Sequence, residues 1–529
     1  MKSIFLKAQF VLAISTIFLL SSCSDEKEPL PDVIPPPEVI LSTSTNSTAI
    51  WNTVKLTVTA TSDIGIVKVE FKIDGVAIGV ATTSPYEFSW DTSNATDGLH
   101  TASATVTDKS GNEKISELKL TVQNTLLETK INEDMLRTKP RWGYDERGFI
   151  FLSDERGKVI VAQEFKNGDA ISLKVPSFEG AEFTINEVVT EPWNVAYTLT
   201  TITTTTHVNR GKWILKAPDR ETSSGSASVS FTNRDTDLDY FLHTNYLATY
   251  YLNGTTASGL NLLTSPSLLY VLSKPKDGSV MPKYHVFSSI VAGANPEALD
   301  LALVNKDLTE ETVSLPEGRT KGSISIYGVH DVNNTSQLYD ISARYTDDTK
   351  GSLTFQYPAD GFNSFYAITR LTGPEYNSLN ISNSKQPYDL VPLNGTLNAS
   401  LTGREVTVSA TGAMDLINFK LGHNHLSWTI FAEKNATTIV IPEIPDILND
   451  VVNLNVDITD AWLTITGEEY PQIQDYKSYL DFIRASTNGY NDLPSPAVAY
   501  KQLYKSIDNA SGGRRATEKI VVEGLPGRN

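Results

Sequence analysis

Two histidines in the last quarter of the sequence have a spacing that suits metal binding. His423 and His425 are two residues apart, and on a β-strand such residues project from the same face. Their imidazoles could then share one metal ion, with Asp415 or Glu433 as the third ligand. The alternative is a polar turn in which neither ring binds a metal. His423 and His425 are therefore a candidate metal site.

Three aspartates alternate over a short stretch as Asp235, Asp237 and Asp239. Calcium prefers clustered carboxylate oxygens, and this alternation could collect three of them on a strand face or around a loop. Tyr240 stands where a loop of the EF-hand type needs glycine, so a calcium loop here would be of another kind. The alternative is a solvated acidic turn. No cofactor is predicted except a candidate calcium ion at these aspartates.

Cys23 is the single cysteine of the chain, and its position near the start points to lipid chemistry. It follows Lys2, Lys7, an apolar stretch at residues 10–20 and two serines, which together have the form of an export signal. The sequence Leu-Ser-Ser-Cys at 20–23 resembles the lipobox of bacterial lipoproteins. The resemblance implies a signal peptide at 1–22, removed so that an acylated (palmitate-bearing) Cys23 anchors the chain in the outer membrane.

The residues after Cys23 form a charged and then proline-rich tether at 23–37. Ser-Asp-Glu-Lys-Glu at 24–28 resembles the short acidic export tag of Bacteroidota surface lipoproteins, which implies display on the outside of the cell. The alternative is a solvated charged spacer without such meaning. Prolines at 29, 31 and 35–37 favour an extended chain, so the tether would hold the folded part away from the membrane.

Composition excludes several classes of function. The 529 residues include 44 basic and 62 acidic side chains, a formal net charge of −18. Without the leader's two lysines the charge would be −20, which repels nucleic acid and argues against it as a partner. If Cys23 carries lipid, no thiol remains for disulfides or nucleophilic catalysis. Common hydrolase and nucleotide-binding motifs are missing, so no catalytic residue is assigned.

Seven short runs of alternating apolar and polar residues occupy residues 38–123 and predict half-buried strands. They are 39–42, 54–59, 67–73, 76–81, 86–90, 100–108 and 116–122. Phe-Lys-Ile-Asp-Gly at 71–75, Pro-Tyr-Glu-Phe-Ser-Trp-Asp at 85–91 and Asp-Lys-Ser-Gly-Asn at 108–112 resemble bacterial immunoglobulin-like domains. The resemblance implies a two-sheet sandwich that acts as a spacer or binding module.

The rest of the chain is predicted to be β-rich, so the fold class is mostly β and multidomain: an immunoglobulin-like β-sandwich, further β-sandwich-like domains and a small helical C-terminal segment. Three regions are predicted: a β-rich region of two domains at 124–395, a β-rich unit at 396–450 and a mixed C-terminal segment at 451–529. Two short helices are predicted in the last region. One starts after Asp475, and the other starts at Pro496 and carries Tyr500, Leu503 and Ile507 on one face.

Three functions remain open on the sequence alone. The first is a non-enzymatic, lipid-anchored surface protein that binds an extracellular glycan or protein, with the immunoglobulin-like domain as spacer. The second is a carbohydrate hydrolase on the same scaffold, which would need two facing carboxylates with a raised pKa on one. The third is a structural subunit of an outer-membrane assembly. Tryptophans that could offer an exposed platform to a sugar are Trp142, Trp193, Trp213, Trp428 and Trp462.

Overall fold

The computed structural model describes residues 35–45, 47–138, 145–192, 198–215, 224–294, 298–330, 338–341, 345–347, 351–384, 388–423, 425–449, 461–485 and 500–507. The chain divides into two compact units. Unit 1 contains residues up to Asp91 together with Gly98–Val122, and unit 2 contains Thr92–Asp97 and everything from Gln123 onward.

Unit 1 is a sandwich of two antiparallel sheets, with one short parallel pairing at its edge. Its strands are β1 (Glu38–Thr43), β2 (Ala49–Ile50), β3 (Thr53–Thr61), β4 (Ile66–Ile73), β5 (Val76–Ala81), β6 (Tyr86–Asp91), β7 (Gly98–Asp108) and β8 (Glu113–Val122). One sheet has the order β1-β3-β6 and the other the order β2-β8-β7-β4-β5. All seven predicted strands are confirmed, because alternation of apolar and polar residues places one side of each strand in the core.

The core of unit 1 follows this alternation residue by residue. Val54, Leu56 and Val58 of β3 are buried, whereas Lys55, between them, is exposed. Between β4 and β5, Asp74 has φ 49° and Gly75 has φ 80°. A two-residue hairpin needs this left-handed backbone at both positions, which explains the Asp-Gly pair.

Unit 2 contains the remaining described strands and one α-helix, α1 (Tyr476–Ala485). The strands up to residue 300 are β9 (Thr125–Lys130), β10 (Arg147–Ser153), β11 (Val159–Phe165), β12 (Ala170–Lys174), β13 (Glu182–Pro192), β14 (Thr198–Asn209), β15 (Gly211–Lys212), β16 (Gly225–Thr232), β17 (Leu238–His243), β18 (Thr249–Tyr251), β19 (Thr256–Leu262), β20 (Ser267–Pro275), β21 (Lys283–Ile290) and β22 (Leu299–Asp300). The later strands are β23 (Lys306–Ser314), β24 (Lys321–Val329), β25 (Leu338–Asp340), β26 (Tyr345–Asp347), β27 (Ser352–Pro358), β28 (Ser364–Thr372), β29 (Asn377–Ser384), β30 (Gly395–Thr402), β31 (Glu405–Gly412), β32 (Leu416–His423), β33 (Leu426–Glu433), β34 (Thr438–Val440), β35 (Trp462–Glu469) and β36 (Tyr500–Ile507).

A 13-stranded sheet organises unit 2, with the order β11-β10-β13-β14-β33-β32-β35-β36-β29-β28-β24-β25 and β26 paired to β24. Its neighbours are antiparallel except for the parallel pair of β14 and β33. The remaining sheets are β18-β17-β20-β21-β23-β27, β12-β9-β15, β19-β16-β22 and β30-β31-β34. Strands from each of the regions 124–395, 396–450 and 451–529 enter the large sheet, so these successive regions share one sheet.

Both faces of the large sheet pack against other elements. On one face, Phe419, Trp428 and Ile465 meet side chains of the β30-β31-β34 sheet in a continuous apolar cluster. On the other face, α1 and the β12-β9-β15 sheet bury a second cluster that includes Leu416 and Phe431. Because each face of the sheet packs against a further layer, many of its strand residues are fully buried.

The helix predicted after Asp475 is confirmed as α1, with Tyr476, Tyr479, Leu480 and Ile483 on its buried side. The second predicted helix is wrong, because residues 500–507 form β36 between β29 and β35. An eight-residue segment with apolar residues three and four apart fits a helix or a buried strand. Two neighbouring strands that satisfy its backbone hydrogen bonds decide the outcome in favour of the strand. Residues 496–499 lie outside the described residues.

Candidate functional site

The central strands of the large sheet carry polar side chains on one face. This is the face on which α1 packs, and α1 covers one end of it. On β14, β33, β32, β35 and β36, apolar residues alternate with polar ones, and the apolar members point into the cluster beneath the sheet. We call the opposite side the polar face. Its members are Thr201, Thr203, Ser427, Thr429, Lys420, Gly422, Trp462, Thr464, Thr466 and Ser506.

Strand register lines up five of these side chains across five adjacent strands. Thr203 pairs with Thr429, Thr429 with Lys420, Lys420 with Thr464, and Thr464 with Ser506. We call these five residues the central row. Neighbouring strands are about 4.8 Å apart, so the row spans roughly 19 Å. Thr429 and Lys420 are half-buried and Ser506 is exposed, whereas Thr203 and Thr464 are buried.

The second feature of the polar face is the position of Trp462 on Gly422. The two residues pair directly between β35 and β32. A Cβ atom on Gly422 would collide with Cζ2, Cε2 and Nε1 of the indole, so the ring lies across the glycine. Gly422 has no positive φ and is required here for space. Since one side of the ring rests on the sheet, the exposed part of the half-buried Trp462 is its outer side.

A carboxylate network borders the polar face toward α1. The buried Glu468 accepts hydrogen bonds from Asn418 Nδ2 at 2.8 Å and Gln502 Nε2 at 2.7 Å through Oε1. Its Oε2 accepts one from the Tyr470 hydroxyl at 2.6 Å. These three donors compensate the loss of hydration of the buried charge. The network is structural and holds β32, β35 and β36 together beside the central row.

Asp415 lies next to this network, and its pKa is raised above the ordinary aspartate value. Burial is the main cause, and the charges of Glu469 and Asp475 add to it. Its Oδ2 accepts a hydrogen bond from the backbone N–H of Tyr470 at 2.7 Å, which favours the ionised form and limits the rise in pKa. A glycosidase would need a second carboxylate free to act. Glu468 is not free in this way, because its carboxylate accepts hydrogen bonds from three side chains.

The histidine pair does not lie on one strand as the sequence analysis supposed. His423 is the last residue of β32 and pairs with Leu426, which places His425 in the tight turn between β32 and β33. At the other end of this hairpin, Leu416 pairs with Glu433, and Asp415 precedes Leu416. An eight-residue strand is roughly 25 Å long, so neither proposed third ligand lies near His425. The exposed His425 borders the Gly422 end of the polar face.

The three aspartates of the candidate calcium site point to different partners. Asp235 accepts a hydrogen bond from the backbone N–H of Asp237 at 2.9 Å, as in a turn capped by its first residue. Asp239 lies on β17 and accepts one from the Tyr251 hydroxyl at 2.7 Å. Within the described ranges, no group of three or more His, Cys, Asp or Glu side chains is placed to hold a metal ion. Asp235 therefore closes a turn and Asp239 is held by Tyr251, and a calcium ion at these aspartates stays a prediction.

The cysteine and the other tryptophans singled out from the sequence fall into two groups, those outside the described residues and those in the core. Cys23, Trp142 and Trp193 lie outside the described residues. Trp213 and Trp428 are buried, and their indole N–H groups donate to Glu187 at 3.0 Å and Thr204 at 2.7 Å. They are core residues and not platforms. The part of the chain that is described contains no helix with the length and apolar character needed to cross a bilayer.

The sequence analysis found Trp462 but missed the polar residues around it. Their signal is the alternation of polar with buried apolar residues, as in Trp-Leu-Thr-Ile-Thr at 462–466 and Phe-Lys-Leu-Gly at 419–422. Alternation predicts a strand with two unlike faces. Which polar residues from five separate strands become neighbours depends on strand order and register, and neither is visible along the chain.

Fold and site together define a multidomain β-protein with an N-terminal sandwich and a larger β-unit that carries the polar face. Residues 37–104 match the bacterial Ig domain family. This segment is therefore a bacterial immunoglobulin-like domain, and the resemblance stated for it is confirmed. A search of curated proteins found no significant relative.

A search of solved structures found chains that are similar to parts of this one. A fibronectin(III)-like module of Clostridium thermocellum CbhA is 27% identical, covering 16% of this chain and 96% of its own, with a TM-score of 0.14. A tetra-tandem repeat from the extending region of a large adhesion protein is 12% identical, covering 83% and 95%, with a TM-score of 0.17. SGBP-B from the Bacteroides ovatus mixed-linkage glucan utilization locus, solved with a mixed-linkage heptasaccharide, is 12% identical, covering 61% and 92%, with a TM-score of 0.15. Such low TM-scores carry no argument about a ligand.

Proposed function

We propose that this chain is a lipid-anchored bacterial surface protein that binds an extracellular glycan or protein through unit 2. In this proposal the lipid is attached at Cys23, residues 24–37 form the tether, and the immunoglobulin-like domain is a spacer. The protein is non-catalytic, and its anchor lies in the outer membrane with the folded part outside the cell.

The observation that carries the binding role is the central row of the polar face. Thr429, Lys420 and Ser506 are accessible to solvent, and they donate to or accept from no residue that the structure describes. Polar groups that the fold itself leaves unused are available to a ligand, and they lie in unit 2, apart from the immunoglobulin-like domain.

The anchoring part of the proposal rests on the export signal, the lipobox-like sequence and the acidic residues after Cys23. Cells expressing the wild-type chain and Cys23→Ala should be labelled with palmitate, and intact cells should then be treated with protease. We expect label only in the wild type and protease cleavage of the wild type on intact cells. An unlabelled wild-type chain would contradict the lipid anchor, and a protected one would contradict outward display.

The binding part is tested with the soluble mature chain, residues 24–529, against a polysaccharide panel and against extracts of envelope proteins. Saturable binding to a member of either set supports the proposal. The same panel should be assayed for released reducing sugar, since release would identify a hydrolase and contradict the non-catalytic role. Stable co-purification with an outer-membrane complex after mild detergent extraction would identify a structural subunit instead.

A further inference from the structure

The ligand chemistry of the polar face follows from the groups that the fold leaves unused there. The hydroxyls of Thr429 and Ser506 can each donate and accept a hydrogen bond, whereas the ammonium of Lys420 only donates. In the described part of the chain, Lys420 makes no salt bridge, although acidic residues outnumber basic ones by 62 to 44. A matching ligand would therefore offer hydroxyls along a line and acceptor oxygens near the middle of the row.

Trp462 adds an apolar surface at one edge of the row. Trp462 pairs with Gly422, and the next pair on the same face of these two strands is Thr464 with Lys420. The indole therefore lies one residue pair beyond the central row. The ring is held by Gly422 and exposes only its outer side. A rigid aromatic surface with its polar neighbours binds ligands that combine an apolar ring face with hydroxyls around its edge.

Other ligand classes fit this surface poorly. A stable protein interface needs an apolar core with anchoring side chains, whereas the groups around Trp462 on the polar face are hydroxyls and an ammonium. The net charge of −18 opposes nucleic acid. The exposed large apolar residues described in unit 2, such as Val280 and Val391, lie on other elements, so the described part of the polar face carries no apolar patch that would favour a lipid surface. A saccharide has both a hydroxyl-rich edge and an apolar ring face.

We infer that the polar face is a glycan-binding site in which Trp462 stacks on a sugar ring and Thr429, Lys420 and Ser506 of the central row hydrogen-bond to hydroxyls of the adjoining sugars. This inference rests on the proposed binding function and names its site and ligand class. Thr429 and Ser506 lie three strand spacings apart, roughly 14 Å, which accommodates several sugar units in an extended chain. Lys420, near the middle of the row, favours a sugar oxygen or carboxylate at that point.

The test is isothermal titration calorimetry of the mature chain with a neutral β-glucan, a xylan and polygalacturonate. For whichever polysaccharide binds, Trp462→Ala should lower the affinity about tenfold or more, as expected for a central aromatic anchor. Thr429→Ala and Lys420→Gln should each lower it about three- to tenfold. The matched controls are Tyr251→Ala, an exposed aromatic elsewhere in unit 2, and Lys130→Gln, an exposed lysine on β9. Both controls should bind like the wild type.

A second readout separates a binding role from a folding role. Glycan should change tryptophan emission of the wild type, and the change should be lost in Trp462→Phe, whose folding is checked by its thermal transition. A polysaccharide that binds equally well to wild type and Trp462→Ala overturns the inference and leaves the proposed function standing. Binding to an envelope protein with no polysaccharide bound has the same meaning. Failure to bind either class overturns both.

Discussion

The indole of Trp462 rests directly on Gly422, its partner across β35 and β32, and it can do so only because residue 422 has no side chain. Any Cβ at this position would enter the space of the ring carbons. A glycine in the interior of a sheet weakens the strand and exposes backbone. Here the aromatic ring covers that backbone, and the glycine in turn sets the height of the ring above the sheet.

Replacing Gly422 should therefore displace Trp462. We expect Gly422→Ala to shift the emission of Trp462 toward longer wavelength, because the lifted ring meets more water, and to destabilise the fold by about 1–3 kcal/mol through overpacking. Emission difference spectra against Trp462→Phe and urea titrations measure the two effects. In a Trp462→Ala background the same glycine substitution should cost little, since the clash is gone. Equal costs in both backgrounds would contradict the relationship.

Thr204 links two buried groups on the apolar side of the large sheet. Its Oγ1 accepts from Trp428 Nε1 at 2.7 Å and donates to Asn186 Oδ1 at 2.6 Å. Thr204→Val keeps the shape but leaves both partners buried without it, so we expect a loss of about 1–3 kcal/mol in the free energy of unfolding. Thr201→Val on the exposed side of the same strand should change it by less than about 0.5 kcal/mol. Urea denaturation of both variants measures this difference, and similar losses would refute it.

Tyr476 fastens α1 to the sheet through one hydroxyl. The buried oxygen accepts from Thr206 N–H at 3.1 Å, and it lies 3.0 Å from Thr206 O and 2.9 Å from Phe431 O, to one of which it donates. Burial raises the pKa of Tyr476, so the hydroxyl stays protonated. Tyr476→Phe should lower stability by about 1–3 kcal/mol.

Hydrogen exchange gives the local signature of this contact. Amide protons of α1 should exchange faster in Tyr476→Phe, while those of unit 1 should keep their protection. Tyr251→Phe, which removes an exposed hydroxyl, is the matched control. If the helix keeps its protection in Tyr476→Phe, apolar packing alone holds it on the sheet.

His243 should make the stability of the protein depend on pH. Burial, helped by the charge of Lys274, lowers the pKa of His243 from 6.5 to about 3. The folded chain therefore keeps this ring neutral while the unfolded chain binds a proton below about pH 6.5, so the unfolded state holds more protons in between. The contribution is fully present above pH 6.5 and falls by about 1.4 kcal/mol per pH unit toward pH 3.

The comparison of wild type with His243→Gln isolates this group from the carboxylates. Between pH 6.5 and 5, few carboxylates titrate, and the free energy of unfolding of the wild type should fall more steeply than that of the variant. Urea titrations at several pH values give both slopes. Parallel slopes for wild type and His243→Gln would show that His243 is protonated in the folded state as well.

Local pattern was sufficient for the N-terminal domain. In β3, Val54 and Leu56 alternate with polar residues, and the Asp74-Gly75 pair marks the hairpin, so strands and turns could be located by counting along the chain. The amphipathic stripe of α1, which includes Tyr476 and Ile483, was equally local. Such features depend on contacts between residues close in sequence or on one repeating period.

The segment around Leu503 shows where local pattern fails. Its spacing fits a helix, yet β29 and β35 lie on either side and pair with its backbone. Both strands lie more than 30 residues away along the chain, and α1 stands between β35 and this segment. The segment itself therefore does not reveal that they will pair with it. The turn at His425 is likewise set by pairing between strands, because the β32–β33 register places this residue between the two strands.

The sequence by itself determined the mostly β composition, the immunoglobulin-like domain, the acidic charge and the single cysteine at residue 23, because each is a property of composition or of short-range order. The tertiary structure alone decided that Thr203, Thr429, Lys420 and Thr464 stand in one row and that Trp462 lies on Gly422. Hydrogen-bond register joins strands that are distant in sequence, and a shift by one residue would turn each of these side chains to the opposite face.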